Sequence, residues 1–180
     1  MDDIQIIDNF LDKKYFKELQ EIVFSHNFGW SRSYSGEDGF QFVHQLFITL
    51  PLELAFRDFE ELRSPFFNKF VPVLKELKVS SLMRIKANLL SRTEKRVIHG
   101  WHTDIIVDNY AADYPNLKNG KTSILYMNTN NGVTIFEDSK KEVESIENRM
   151  AIFPTTTRHT GTTNTDPDIP DRCVINFNYF

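Results

Sequence analysis

Residues 99–104 read HGWHTD, which places two histidines, a tryptophan and a carboxylate within six positions. His102 and Asp104 form a His-x-Asp pair. On an extended segment, residues two apart share a face, so this imidazole and this carboxylate can approach one metal ion from the same side. A third ligand must come from elsewhere in the chain. Two imidazoles and one carboxylate leave one face of an octahedral iron(II) open to further ligands. The triplet alone is a weak signal. Five histidines and thirteen aspartates in 180 residues give about 0.4 such matches by chance. Taken alone, the triplet is more readily explained as an ordinary hydrogen-bonded surface pair.

Other residues strengthen the metal reading. His159 follows His102 by 57 residues, in FPTTTRHTGTT, after an apolar strand signal and a turn. That is a sensible place for a second imidazole to arrive from another strand; its alternative is a bond to a loop. Arg172 opens the segment RCVINFNYF, thirteen residues further on. A buried arginine needs an anionic partner, and its planar fork matches a carboxylate in bidentate fashion. A dicarboxylate cosubstrate would supply that partner, as would Asp168 or Asp171 at the surface. Tyr126 and Asn176 are candidate cosubstrate contacts. Each is also explained as an interior residue whose polar atom has found a partner. Arg84 and Asn88 lie on the strand leading to the motif and face either the site or the core. Trp101 alternates away from His102 and is expected in the core. Cys173 alternates away from Arg172 and reads as a small buried residue. His26, His44 and His99 read as structural or solvent-facing.

These residues need a scaffold, and its signals fall in two blocks. The first third carries helical ones. Asp12 can cap a helix through its side-chain oxygen, with Leu11 and Phe16 placed as a staple. Tyr15, Phe16, Leu19, Ile22 and Val23 follow at helical spacing. A second helix is expected from Ser64 and Pro65, with Phe66, Phe67, Phe70, Val73, Leu74 and Leu77 on one side and Pro72 kinking or shortening it. ELAFRDFEELR, between the two, reads as a shorter helix or an ordered loop. From residue 80 onward, SLMRIKANLL, TSILYMN, GVTIF, RMAIF and RCVINFNYF read as strands separated by turns. Helices first and strands afterwards predict an antiparallel sheet or barrel braced by helices. The segments 108–120 and 164–171 are expected to border a site.

The bulk numbers bound the class. A chain of this length suits one domain with a sizeable core. Its composition, 41% hydrophobic and 26% charged, is ordinary for a globular protein. The sixteen phenylalanines should dominate the core. A net charge of −4 speaks against a broad electrostatic grip on nucleic acid. The single cysteine excludes an internal disulfide and a thiolate zinc cage. No apolar run reaches membrane-span length, and the acidic start MDDIQIIDNF lacks the pattern of a signal peptide. The expectation is a cytoplasmic protein with no membrane partner.

Residues 80–180 resemble the iron(II)- and 2-oxoglutarate-dependent dioxygenases, particularly their prolyl-hydroxylase-like branch. The resemblance rests on HTD, on TSILYMNTNNGVTIFED, on NRMAIFPTTTRHTGTT and on the arginine of the closing strand, in that order. It implies a mostly β fold with flanking helices, a double-stranded β-helix of the jelly-roll, cupin-like kind. Residues 1–79 would give helical support and substrate-side elements, and 80–180 the jelly-roll core. It implies that His102, Asp104 and His159 bind Fe(II), and that Arg172 holds the distal carboxylate of 2-oxoglutarate, with Tyr126 and Asn176 as further contacts. Dioxygen is the other cosubstrate and ascorbate a candidate reductant. The implied reaction hydroxylates an unactivated C–H bond of a peptide or small-molecule substrate, releasing succinate and CO2. Val174 stands where some relatives carry a serine that touches the keto acid. RCVINFNYF lacks the arginine-rich closing pattern of the nucleic-acid repair branch. The carboxylate of Asp104, which related halogenases lack, points to hydroxylation. The competing readings are a cupin-like metal-dependent isomerase or ligand-binding protein, and a degenerate fold that binds a protein partner.

Overall fold

The computed structural model describes residues 3–34, 40–49, 63–104 and 117–180. In chain order the elements are β1 (Gln5–Ile7), α1 (Lys13–Val23), β2 (Ser31–Tyr34), β3 (Phe40–Ile48), a 3-10 turn (Phe67–Phe70) and α2 (Val71–Glu76). There follow β4 (Leu82–Ser91), a second 3-10 turn (Leu117–Asn119), β5 (Lys121–Tyr126), β6 (Val133–Phe136), β7 (Glu142–Glu144), β8 (Met150–Pro154), β9 (His159–Gly161) and β10 (Asp171–Tyr179). A seven-stranded sheet runs in the order β1-β8-β5-β10-β4-β3-β2, and a smaller one in the order β7-β6-β9. Segment 97–102 lines the free edge of β9. His102 and His159 exchange backbone hydrogen bonds of 3.0 and 2.9 Å, and His99 N–H donates to the Gly161 carbonyl.

From β4 onward the chain alternates between the two sheets. β4, β5, β8 and β10 enter the large one; segment 97–102, β6, β7 and β9 enter the small one. All pairings are antiparallel. This is the path of a double-stranded β-helix, as the resemblance implies.

Period-two alternation sorts the side chains. On β10, Cys173, Ile175, Phe177 and Tyr179 join a core with Phe16, Leu19 and Val23 of α1 and with Phe70 and Val73. The even-numbered residues Arg172, Val174, Asn176 and Asn178 face the interior between the sheets. There Ile124, Tyr126, Phe136, Phe153 and Val174 form a second, smaller apolar cluster. Each large side chain so buried contributes about 1.5–3 kcal/mol. α1 starts where its cap predicts, with the Asp12 carboxylate accepting from the Lys14 and Tyr15 N–H groups. In the second helical region Ser64 Oγ accepts from Phe66 N–H. Pro72 sits in the first turn of α2, so the helix restarts there after a 3-10 turn rather than running on.

The first third differs from expectation in one respect. It supplies three strands as well as helices, and β2 and β3 extend the large sheet. β2 is a polar edge strand, SRSY, and the register of β3 shifts between Gln45 and Phe47. Neither offers an unbroken period of two. ELAFRDFEELR, apart from Arg63, and most of segment 108–120 lie outside the described residues. No helix among the described residues is long and apolar enough to cross a membrane.

Candidate metal and cosubstrate site

A cavity of about 530 Å³ opens between the sheets. Arg84, Lys86, Asn88 and Leu90 of β4 and Arg172, Val174 and Asn176 of β10 form one wall, and the 99–104 segment with His159 forms the other. His102, Asp104 and His159 converge there. Their candidate ligand atoms all lie within 4.8 Å of one another. An ion about 2.1 Å from each donor closes that separation with small side-chain movements.

Both imidazoles are oriented by the backbone. His102 Nδ1 lies 3.0 Å from the Gly100 carbonyl and His159 Nδ1 lies 3.1 Å from the Thr157 carbonyl. A carbonyl only accepts, so each Nδ1 carries the proton and each Nε2 keeps a lone pair free to ligate. His159 is buried, and burial pulls its pKa below the ordinary value, with Asp104 opposing and His102 reinforcing that shift. The neutral ring, which is the ligating form, is favoured.

Asp104 is the most heavily supported of the three. Its side chain is only 4% exposed. Asn176 Nδ2 donates to both its oxygens at 3.3 and 3.1 Å, and Asn178 Nδ2 to Oδ2 at 3.2 Å. Arg84 Nη2 lies 3.1 Å from Oδ1, a charge contact out of line for a hydrogen bond, and Nη2 makes no hydrogen bond among the described residues. Burial alone would raise the carboxyl. The charges of Arg84, His159 and His102, with the Asn178 bond, override it and hold the group well below the usual carboxylate range. Asn178 is fixed in turn by Arg84 Nε, which donates to its Oδ1 at 2.9 Å, and by its own bond to Thr122 Oγ1.

At the far end of the same cavity Arg172 is 3% exposed. Its Nε donates to Ser145 Oγ and its Nη2 to Thr134 Oγ1, both at 2.9 Å. Tyr126 O–H donates to the same Thr134 oxygen at 2.8 Å. With two bonds accepted, that hydroxyl has its own proton left to donate. Arg172 has no acidic partner among the described residues, and burial pulls its pKa down. Gly132 and Gly161 make room for it. A Cβ at Gly132 would stand 2.6 Å from Arg172 Cδ, and one at Gly161 3.2 Å from Nη1. The residues therefore suit a metal chelated by an acid whose second carboxylate reaches the guanidinium. The donor set matches a 2-His-1-carboxylate site, and the buried cation has the geometry for an anion that no described residue provides.

The comparisons with solved structures agree with this topology. A prolyl hydroxylase from Trichoplax adhaerens, in complex with a hypoxia-inducible-factor peptide fragment, superposes with a TM-score of 0.63 at 14% identity, over 98% of this chain and 83% of that one. A 2OG-Fe(II) oxygenase family oxidoreductase from Burkholderia pseudomallei gives 0.61 at 10% identity, over 98% and 84%. The fold is that of the 2OG-Fe(II) oxygenases. The same oxygenase fold carries the alpha-ketoglutarate-dependent epimerase SnoN of nogalamycin biosynthesis, with a TM-score of 0.59 at 12% identity, over 99% and 78%. By sequence, no protein-family model and no curated protein matches the chain.

On this oxygenase frame the candidate residues separate. His102, Asp104, His159 and Arg172 share one cavity, and Arg84 and Asn88 also line it. Asn176 lines it too, but its amide N–H groups are engaged by Asp104. Tyr126 is fully buried behind Thr134, its ring 5.8 Å from the Arg172 guanidinium. Trp101 is a correction. It lies half-buried on the cavity wall beneath the Lys140 ammonium rather than in the core, because segment 97–102 is the outer edge of the small sheet. His44 is structural, stacked on Phe28 and bonded to the Gly29 carbonyl and Ser64, and His26 is exposed. Sequence reasoning missed Lys86, Asn178, Thr134 and Ser145. Alternation from Arg84 and Asn176 points to the first two. Thr134 and Ser145 reach Arg172 only through sheet pairing and carry no local signal.

Proposed function

We propose that this chain is an Fe(II)- and 2-oxoglutarate-dependent dioxygenase, acting as one domain, that hydroxylates a C–H bond of a peptide side chain or a small metabolite. His102, Asp104 and His159 hold the metal through two Nε2 atoms and a carboxylate oxygen. Arg172 and the Thr134 hydroxyl receive the distal carboxylate of the keto acid, and the apolar side chains of Ile124 and Val174 line the path between. With both groups bound, the centre supplies oxidative decarboxylation of 2-oxoglutarate coupled to insertion of oxygen into the substrate. The protein's contribution is orientation. The two backbone carbonyls fix the imidazoles, and Arg84, Asn176 and Asn178 keep Asp104 ionised and in place.

The observation that carries this reading is Arg172, a buried cation with only neutral partners among the described residues, in the cavity that the three ligands head. A cupin-like isomerase has no use for it. Prolyl peptides are the first substrates to screen, since the Trichoplax relative binds a peptide fragment. The SnoN likeness makes product analysis essential, because epimerisation and hydroxylation are distinct outcomes of one cosubstrate. Anaerobic titration with iron(II) and then 2-oxoglutarate tests the assignment. A metal-to-ligand charge-transfer band should appear in the wild type and require far more 2-oxoglutarate in Arg172→Met. Absence of the band in the wild type, with iron bound, would sink the proposal.

A further inference from the structure

The cavity holds more positive charge than the proposed chemistry uses. Among the described residues three cations line it, Arg84, Lys86 and Arg172, against one carboxylate, Asp104. Arg84 is committed to Asp104, and Arg172 is taken by the cosubstrate in the reading above, on which this inference rests. With iron(II) and dianionic 2-oxoglutarate in place and both histidines neutral, two positive charges remain that no described residue compensates. Lys86 is the cation without a role. Its side chain makes no hydrogen bond or ion pair with any described residue.

Its position separates it from the cosubstrate's far end. Lys86 pairs with Asn176 in the sheet, whereas Arg172 pairs with Leu90. Four residues along β4 amount to about 13 Å. Lys86 thus stands level with the metal ligands, since Asn176 itself touches Asp104. It is displaced sideways toward β3, where Gln45 is its sheet partner. Asn88, its neighbour on the same face, spends its amide on only one long 3.5 Å contact to the Lys86 carbonyl. An ammonium and the Asn88 amide therefore border the space beside the metal ligands.

We propose that Lys86 binds a carboxylate of the primary substrate, with Asn88 as a neutral partner, so that the enzyme selects anionic substrates. The carboxylate is either the α-carboxylate of a free amino acid or an acidic side chain of a peptide. Burial, and then the nearby Arg84, lowers the pKa of the free ammonium, with Asp104 opposing. An arriving anion favours its charged form.

The test uses the full chain loaded anaerobically with Mn(II) and 2-oxoglutarate, with binding followed calorimetrically. Acetate is the first probe. Free amino acids with their carboxamides, and acidic peptides with their Asn and Gln counterparts, form the second. Acetate should bind the loaded wild type, bind Lys86→Met about 10- to 100-fold more weakly, and bind Lys86→Arg nearly as well as wild type. Amide counterparts should lose a similar factor in the wild type alone. The amino-acid and peptide arms tell which source of carboxylate is preferred. An unchanged melting temperature and unchanged 2-oxoglutarate affinity in Lys86→Met would exclude misfolding and a role in holding the keto acid. Failure of acetate to bind, equal binding by Lys86→Met, or a parallel loss of 2-oxoglutarate affinity would each overturn the inference. If the wild type takes up no 2-oxoglutarate, the dioxygenase reading falls and this inference with it. Uptake without anion binding removes this inference alone.

Discussion

At one end of the cavity a buried anion, Asp104, is surrounded by donors from Arg84, Asn176 and Asn178. At the other, a buried cation, Arg172, rests on two hydroxyl oxygens and faces no acid among the described residues. The first arrangement is electrically complete without a ligand; the second is not. A buried charge lacking a counter-charge lowers the stability of the empty protein, so Arg172 is a residue whose cost in the free chain is offset when an anion arrives. On the proposed function, the contrast separates a region that holds a metal-ligand atom still from one that waits for an anion.

Breaking each end should therefore give opposite stability effects. Asp104→Ala removes a proposed metal donor and strands Arg84 in the interior. Iron affinity should fall by more than the roughly 100-fold that loss of an outer-shell partner alone can cost. The metal-free protein should lose on the order of 3 kcal/mol, read by iron binding and urea unfolding. Arg172→Met should weaken 2-oxoglutarate by about 100-fold yet leave the ligand-free protein as stable as wild type, or more so by about 1 kcal/mol. A large loss of stability in Arg172→Met would erase the distinction between the two ends.

Acid should act on the metal end first. His159 has a folded-state pKa below its unfolded value near 6.5. The unfolded chain therefore takes up the proton first, and the stability of the metal-free protein falls as pH drops below about 6.5. Asp104 is likewise depressed. Its contribution is complete above its unfolded value, about 3.9, and is lost only as pH falls below that. Melting temperatures between pH 7.5 and 5 should show the His159 slope, and His159→Gln should flatten it.

Smaller changes sharpen the arginine end. Gly132→Ala places a methyl against Arg172 Cδ. It should cost about 1–3 kcal/mol of stability and weaken 2-oxoglutarate more than it weakens iron. Tyr126→Phe removes one donor to Thr134, leaving that oxygen its bond from Arg172. It should cost about 1 kcal/mol, with cosubstrate affinity nearly unchanged; a loss approaching that of Arg172→Met would make Tyr126 a direct contact.

Much of this was legible in the chain and some was not. The cap at Asp12 and the apolar spacing of α1 are local, and local chemistry decides them. The five main strands announced themselves by β-favouring residues between turns. β2 and β3 did not, because one is polar and the other bulged. His102 and Asp104 share a face by alternation, but nothing near them specifies the strand that brings His159 alongside. Trp101 was assigned to the core because alternation gives two faces without saying which of them is covered.

The linear chain determined which residue types stand at which faces. Alternation put Arg172, Val174, Asn176 and Asn178 on one side of β10 and Cys173, Ile175, Phe177 and Tyr179 on the other, because successive strand side chains must point oppositely. Only the tertiary structure decided which of those charges are compensated. Whether a buried arginine meets a carboxylate or two hydroxyls depends on strand pairings between segments tens of residues apart, and Coulomb energy depends on distance in space rather than along the chain.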